Sequence, residues 1–162
     1  MTAVHARGGA PPAAKAAKAA KASSGRAGAV LLDTGPLVAL YARDDSRHGA
    51  VARWLAGFPG DLHTVDPVLT EAAYFLPARL RPVLADLARA GTLQVHHPDE
   101  AGYLRIGTLL RKYADRDPDW ADIALVWLAE HTGITRIATL DVADFSVYRI
   151  HGRRRFELEL LR

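Results

Sequence analysis

The chain of 162 residues is long enough for one domain with a substantial core, and its lack of cysteine excludes disulfides, thiolate metal sites and cysteine nucleophiles. Hydrophobic residues make up 49% and charged residues 24%, a globular composition. No run approaches the ~20 apolar residues of a membrane span, so no membrane partner is expected. The formal charge of +3 is unevenly placed: residues 1–28 carry five basic side chains and no acidic one, leaving 16 basic against 18 acidic residues elsewhere. The remainder is slightly acidic and makes no bulk electrostatic case for nucleic acid.

Residues 1–28 contain eleven alanines and no Leu, Ile or Phe. Such a segment cannot bury enough apolar area to offset its ordering entropy, so a disordered, basic Ala/Lys-rich tail is expected over 1–28, followed by a single domain over 29–162. The tail has no apolar stretch of the kind a secretory signal needs. The run AVLLD (29–33) predicts a short strand, and Thr34-Gly35-Pro36 a turn into a helix with Pro near its start. Helical spacing of Val51, Trp54, Leu55 and Phe58 marks a helix over 48–58. A strand over 62–65 is followed by a helix opened by Asp66-Pro67. A helix over 82–90, a strand over 93–97 and a helix over 100–114 come next. The clearest helix runs from Trp120 to His131, with Gly133 just past its end. Arg136–Leu140 reads as a strand, Tyr148–Ile150 as a short further one, and FELELL as the last. Alternating strands and helices predict an α/β three-layer sandwich: a mainly parallel sheet of four or five strands with helices on both faces.

In such a sheet ligands bind outside the carboxyl ends of the strands. Asp33 ends the first strand, and Asp141 ends a later one with Asp144 three residues on. Asp119 and Asp122 open the helix at Trp120, and Glu71 lies early in the helix after the second strand. Taken singly, each has a plain structural reading. Asp33 serves the free amides of the next helix, Asp119 with Asp122 reads as an N-cap and an acidic third position, and Asp141 with Asp144 shapes a turn. Glu71 fits such a reading least, because its neighbours Ala72, Ala73, Tyr74 and Phe75 are apolar. Taken together, six carboxylates on one edge repel one another unless cations neutralise them. Mg²⁺ or Mn²⁺, which accept all-oxygen ligands, are the natural occupants.

Several phosphoryl-transfer classes fail on the residues. A dehalogenase-type phosphatase needs a second Asp two residues after the first, where this chain has Gly35. A receiver domain needs a late Lys, and the last Lys here is Lys112. Neither a P-loop nor a GxGxxG motif is present. Metal-assisted hydrolysis of a phosphodiester remains.

VLLDTGPLVALY, LTEAAYFL, KYADRDPDWADIALVWLAE and IATLDVADFSVYR, in this order, resemble the motifs of PIN-domain ribonucleases, and of VapC-like toxins of toxin–antitoxin pairs in particular. The resemblance runs from about Val30 to Leu161. It implies a Mg²⁺-dependent endoribonuclease with one or two ions held by Asp33, Glu71, Asp122 and Asp141, and with Asp119 and Asp144 as second-line acids. It further implies a cytoplasmic toxin that forms a homodimer, cleaves tRNA or ribosomal RNA, and is silenced by a cognate antitoxin protein. Thr34 and Thr139 are the hydroxyls placed to orient the carboxylates.

Arg43, Arg47, Arg111, Lys112, Arg149 and Arg153 are candidates for contacting RNA phosphates. Trp54, Trp120 and Trp127 read as helical core positions, with Trp120 alone close enough to the acidic helix start to bear on the site. His96-His97 point to opposite faces of their strand and do not ligate jointly. Two rival readings stay open: a non-catalytic RNA-binding or regulatory domain, and a metal-dependent DNA nuclease or phosphatase. Metal chemistry on a phosphodiester does not by itself select the 2′-hydroxyl.

Overall fold

The computed structural model of the chain describes residues 28–160. The tail expected over 1–28 therefore lies, apart from Gly28, outside the described residues. The organising element is β1 (Val30–Leu32), whose three apolar residues are all buried. A strand buried on both faces carries an uninterrupted apolar run, and the sheet places β1 at its centre. It pairs with β2 (Leu62–Val65) on one side and β4 (Arg136–Ala138) on the other. With β3 (Leu93–His96) and β5 (Glu157–Glu159) at the edges, the order is β3-β2-β1-β4-β5, and every pair is parallel.

Seven α-helices connect the strands among the described residues: α1 (Thr34–Tyr41), α2 (His48–Gly57), α3 (Asp66–Phe75), α4 (Pro82–Arg89), α5 (Glu100–Lys112), α6 (Trp120–Thr132) and α7 (Val142–Phe145). On one face Leu32, Leu62 and Leu93 of three adjacent strands meet Leu37 of α1, Leu55 of α2 and Leu87 of α4. The other face is covered by α6, which crosses β2 and packs against α3 and α5. Residues Ala121 to Ala129 of α6 are all buried. A helix apolar all round is a central helix, and Asp122 is the one charged residue in that run. Gly133, at φ 78°, ends α6 in the left-handed conformation that glycine adopts at no steric cost. This is the α/β three-layer sandwich that the alternating pattern predicts.

Three local expectations shift. Thr34-Gly35-Pro36 is the first turn of α1 and not a turn ahead of it, because Asp33 already caps the helix and Pro36 sits where no intrahelical amide is needed. The fifth helix stops at Lys112, and Ala114–Arg116 tighten into a 3₁₀ turn before Asp117 enters the left-handed region at φ 49°. Tyr148–Ile150 is not a strand. The Tyr148 N–H donates to the Asp144 carbonyl at 3.0 Å, and Ile150 makes a single antiparallel bridge to Arg154. The backbone donors that a strand would need are spent on the end of α7 and on a turn.

If β1 centres the core, truncating Leu31 to Ala costs roughly 2–5 kcal/mol, since it leaves a cavity at a fully buried site. Leu158→Ala on edge strand β5 costs clearly less, its side chain being half-buried. Urea unfolding of both variants checks this; equal shifts of the midpoint would contradict the placement of the core.

Candidate functional site

Backbone pairing assembles the site before any side chain contributes. The Asp33 N–H donates to the Ala138 carbonyl at 3.1 Å, extending the β1–β4 ladder by one step. That step sets Thr139 beside Asp33, and the Thr139 hydroxyl donates to Asp33 Oδ2 at 2.7 Å. The other oxygen, Oδ1, accepts the Thr34 N–H at 2.6 Å and so caps α1. The Thr34 hydroxyl in turn donates to Glu71 Oε2 at 2.7 Å, while Thr139 Oγ1 accepts the Asp141 N–H at 2.8 Å. Two hydroxyls thus tie Asp33, Glu71 and Asp141 into one chain across three segments. These are the two threonines that the sequence marks for orienting carboxylates.

The remaining acids arrive from α6 and α7. Asp119 caps α6 by accepting the Ala121 N–H at 2.7 Å, and Asp122 stands three residues on in the first turn. Asp141 caps α7 by accepting the Asp144 N–H at 3.0 Å. Carboxylate oxygens of Asp122, Asp141 and Asp144 lie within 4.8 Å of one another. All six sequence-predicted acids line one cavity of about 690 Å³, which Arg47 and Phe75 also border. The convergence expected at the carboxyl edge of the sheet is therefore present in space.

Asp33 is 6% and Asp122 is 9% exposed. Burial pushes the Asp33 carboxyl up to about 6; the Thr139 and Thr34 hydrogen bonds oppose this, while Glu71 and Asp141 add to it. Asp122 rises further, to about 8, first through burial and then through Asp33, Asp119, Asp141 and Asp144. Nothing among the described residues donates a hydrogen bond to it. A largely buried carboxylate that no protein group donates to, faced by four other acids across the cavity, favours keeping a proton or meeting a cation. The donors are all oxygen, without nitrogen or sulfur, which suits a hard divalent ion such as Mg²⁺ or Mn²⁺.

Basic residues are sparser at the cavity. Of the six RNA-contact candidates, Arg47 alone lines it, and its guanidinium holds Asp45 through two bonds of 3.0 Å. Arg149 turns inward, with Nη1 donating to the carbonyls of Ser146, Val147 and Tyr148 at 2.7–2.9 Å. It closes the chain turn after α7. Lys112 lies beside Gly152, so the end of α5 and the turn carrying Arg153 come together. Arg43 and Arg111 are exposed. Two residues escaped sequence reasoning. Arg116 approaches Asp144 at 3.7 Å and brings a positive charge to the acids; its place inside KYADRDPDW is the only hint in the sequence. The Tyr148 hydroxyl is buried without a partner, and its proton is held above the usual range by burial and then by Asp122 and Asp144. No pattern marks it. The histidine contact also differs from an adjacent pair: His63 Nδ1 meets His96 Nε2 at 2.9 Å across β2 and β3.

The raised carboxyls fix a sign for pH dependence. Between 3.8 and about 8 the folded protein binds Asp122's proton more tightly than the unfolded chain does. The stability of the metal-free protein therefore falls as pH rises through this window. Asp122→Asn removes that ionisation, so its melting temperature falls less between about pH 5 and pH 8 than that of the wild type. Parallel melting curves would show that Asp122 is not strained. An ion such as Mg²⁺, if held by these acids, would displace their protons at neutral pH, a release that calorimetry in buffers of different ionisation enthalpy would read.

The chain matches the PIN domain family over residues 30–149, a span containing all six acids of the cavity. Its structure is similar to that of VapC20 from Mycobacterium tuberculosis, described as a sarcin–ricin loop cleaving toxin, with a TM-score of 0.67 at 20% identity. The match covers 75% of this chain and 97% of that one, and at such identity the likeness speaks for the fold. Among curated proteins no sequence match is found. With the family matched from β1 to the turn after α7, the chain belongs to the PIN domain family.

Proposed function

We propose that the chain is a metal-dependent endoribonuclease and the toxin of a toxin–antitoxin pair. The observation that carries the reading is Asp122: a buried carboxyl with no donor, at a cavity shared with Asp33, Glu71 and Asp141. PIN membership and the likeness to a toxin named for cleaving the sarcin–ricin loop support it. Asp33, Glu71, Asp122 and Asp141 would hold one or two ions of Mg²⁺ or Mn²⁺, with Asp119 and Asp144 beside them. A bound ion supplies an activated water and positive charge opposite the charge that develops on the phosphodiester.

The protein's own groups do the rest by position. Thr139 and Thr34 hold Asp33 and Glu71 in fixed rotamers, so these carboxylates need not reorganise when RNA binds. Arg116 and Arg47 flank the acids and are placed to steady phosphate oxygens once the carboxylates are neutralised. The substrate class in this reading is structured RNA such as tRNA or ribosomal RNA. A homodimer in the cytoplasm, silenced by an antitoxin that covers the acids, completes it.

Cleavage assays on matched RNA and DNA, with and without chelator, test the proposal. RNA alone is cut, chelator stops the reaction, and added Mg²⁺ or Mn²⁺ restores it. Asp33→Asn and Asp122→Ala lose cleavage while keeping the folded circular-dichroism spectrum. Asp119→Ala loses a cap at a cost of roughly 0.5–2 kcal/mol and still cleaves. Wild-type cleavage by a folded Asp33→Asn protein would end the assignment.

A further inference from the structure

Four of the chain's seven histidines, His63, His96, His97 and His131, come near one another around the β2–β3 edge of the sheet. Leu62 and Leu93 face α1, α2 and α4, so by the alternation of a strand His63 and His96 face the other side, which α6 covers. The register sets Gln94 opposite His63 and Val65 opposite His96, which makes the two histidines diagonal neighbours. Their rings stack with centroids 5.2 Å apart, and His63 Nδ1 meets His96 Nε2 at 2.9 Å. His131, exposed in the last turn of α6 and stacked on Trp127, is close enough to act on the charge of His96.

Two imidazole nitrogens in contact have two uses. As a hydrogen bond, one ring donates and the other accepts. As ligands, both turn a bare nitrogen to a shared cation, each ring keeping its proton on the other nitrogen. A Zn²⁺ ion holds imidazole nitrogens at about 2.0–2.1 Å, which puts two neighbouring ligand nitrogens about 2.8–3.4 Å apart. The 2.9 Å between these two lies in that range, so little movement is needed. Both rings are also held in the neutral form that ligates. Burial lowers the proton affinity of each, and His63, His131 and His97 lower that of His96 further. Asp61, exposed just ahead of β2, acts the other way on His63 and favours a positive charge there. Nitrogen donors suit Zn²⁺, Cu²⁺ or Ni²⁺, whereas carboxylates suit Mg²⁺ or Mn²⁺.

We propose that His63 and His96 form a two-imidazole site for a divalent cation of the Zn²⁺ class, separate from the carboxylate centre. Among the described residues no third His, Asp or Glu joins the pair within 4.8 Å, so water takes the remaining positions on the ion. The ion ties the edge strand β3 to β2, and its effect is on stability and not on the reaction. Asp122 and His131 lie at opposite ends of α6, about 13 Å apart along its axis, so the two sites do not share ligands. The proposal stands whether or not the chain cuts RNA.

The test titrates Zn²⁺ into the full chain at neutral pH in excess Mg²⁺, read by the melting temperature and by NMR of the histidine ring nitrogens. In the wild type the signals of His63 Nδ1 and His96 Nε2 shift. The melting temperature climbs with Zn²⁺ concentration, as for any ion bound by the folded state alone. His63→Gln and His96→Gln lose at least about tenfold in Zn²⁺ affinity, the scale of a missing partner at a metal site, while His97→Gln binds as the wild type does. Acidifying through the imidazole range releases the ion, because protonated rings do not ligate. Asp122→Asn, altered only at the carboxylate centre, answers Zn²⁺ as the wild type does. Ring signals that Zn²⁺ leaves unmoved in the wild type overturn the proposal and leave the pair as a hydrogen bond between strands. So does a Zn²⁺ response that survives in both glutamine variants, or one that vanishes in Asp122→Asn and thereby assigns the ion to the acids. Should a glutamine variant fail to fold, the wild-type ring signals decide alone.

Discussion

Mutual repulsion among carboxylates at the carboxyl edge of the sheet is the constraint around which the molecule is arranged. Water would screen these charges on an open surface, but Asp33 and Asp122 are taken out of it. The fold answers with what it has: the Thr139 and Thr34 donors, and the amino ends of α1 and α6, where a helix favours negative charge. These do not suffice. A helix terminus contributes about 0.3–1 kcal/mol, whereas each tenfold gain in proton affinity represents about 1.4 kcal/mol. Asp122, lifted from 3.8 to about 8, therefore carries an unrelieved cost larger than one helix end offsets. A proton or a multivalent cation would relieve it.

Holding repelling groups together requires a stiff scaffold. The central strand β1 is buried on both faces, and Asp33 is fixed at its end by a backbone bond to β4. Helix α6 is buried from Ala121 to Ala129, so it cannot rotate or slide to move Asp122 away from its neighbours. Away from the acids, Arg105 of α5 holds Glu130 of α6 through two bonds of 2.7 and 2.8 Å. Glu130 also accepts the His151 N–H at 2.7 Å, which fastens the turn after α7 to the far end of the same helix. Packing and a half-buried ion pair thus oppose the spreading that charge repulsion favours. The positions of the acids are thus set in advance by a packed core of aliphatic and aromatic side chains.

Architecture was legible because it follows from local rules. Apolar runs of three to five residues between helical patterns mean buried parallel strands, and the protein has them in an all-parallel sheet. The six acids were legible through topology, since residues that end parallel strands share an edge whatever their distance in the chain. What the sequence hid depends on tertiary packing. Tyr148 resembles a strand residue by type, and only the bond from its N–H to Asp144 shows it belonging to a helix end. Arg149 reads as a free cation until its carbonyl partners are seen. Trp120 reads as core, like Trp127, because helical spacing counts positions and not neighbours. At 48% against 5% exposure the two tryptophans of one helix have opposite surroundings. The diagonal His63–His96 contact needs the strand register, which no single strand contains.

The plain and the functional readings of these acids turn out to be compatible. Asp33, Asp119 and Asp141 each cap a helix, and each cap bond uses Oδ1 alone. A carboxylate has two oxygens and about four acceptor sites, so a capping Asp keeps capacity for a cation while its rotamer is fixed. Capping therefore prepares these residues for the site. Asp122 is the exception that gives the set its direction. It stands at the third position of α6, where an acidic residue is favoured by the helix end, yet it accepts no bond and is buried. An acid placed there for helix stability alone would face water. Burial without a protein partner has a structural cost and no structural return, and the proposed reading accounts for it by the ion that the cavity would hold.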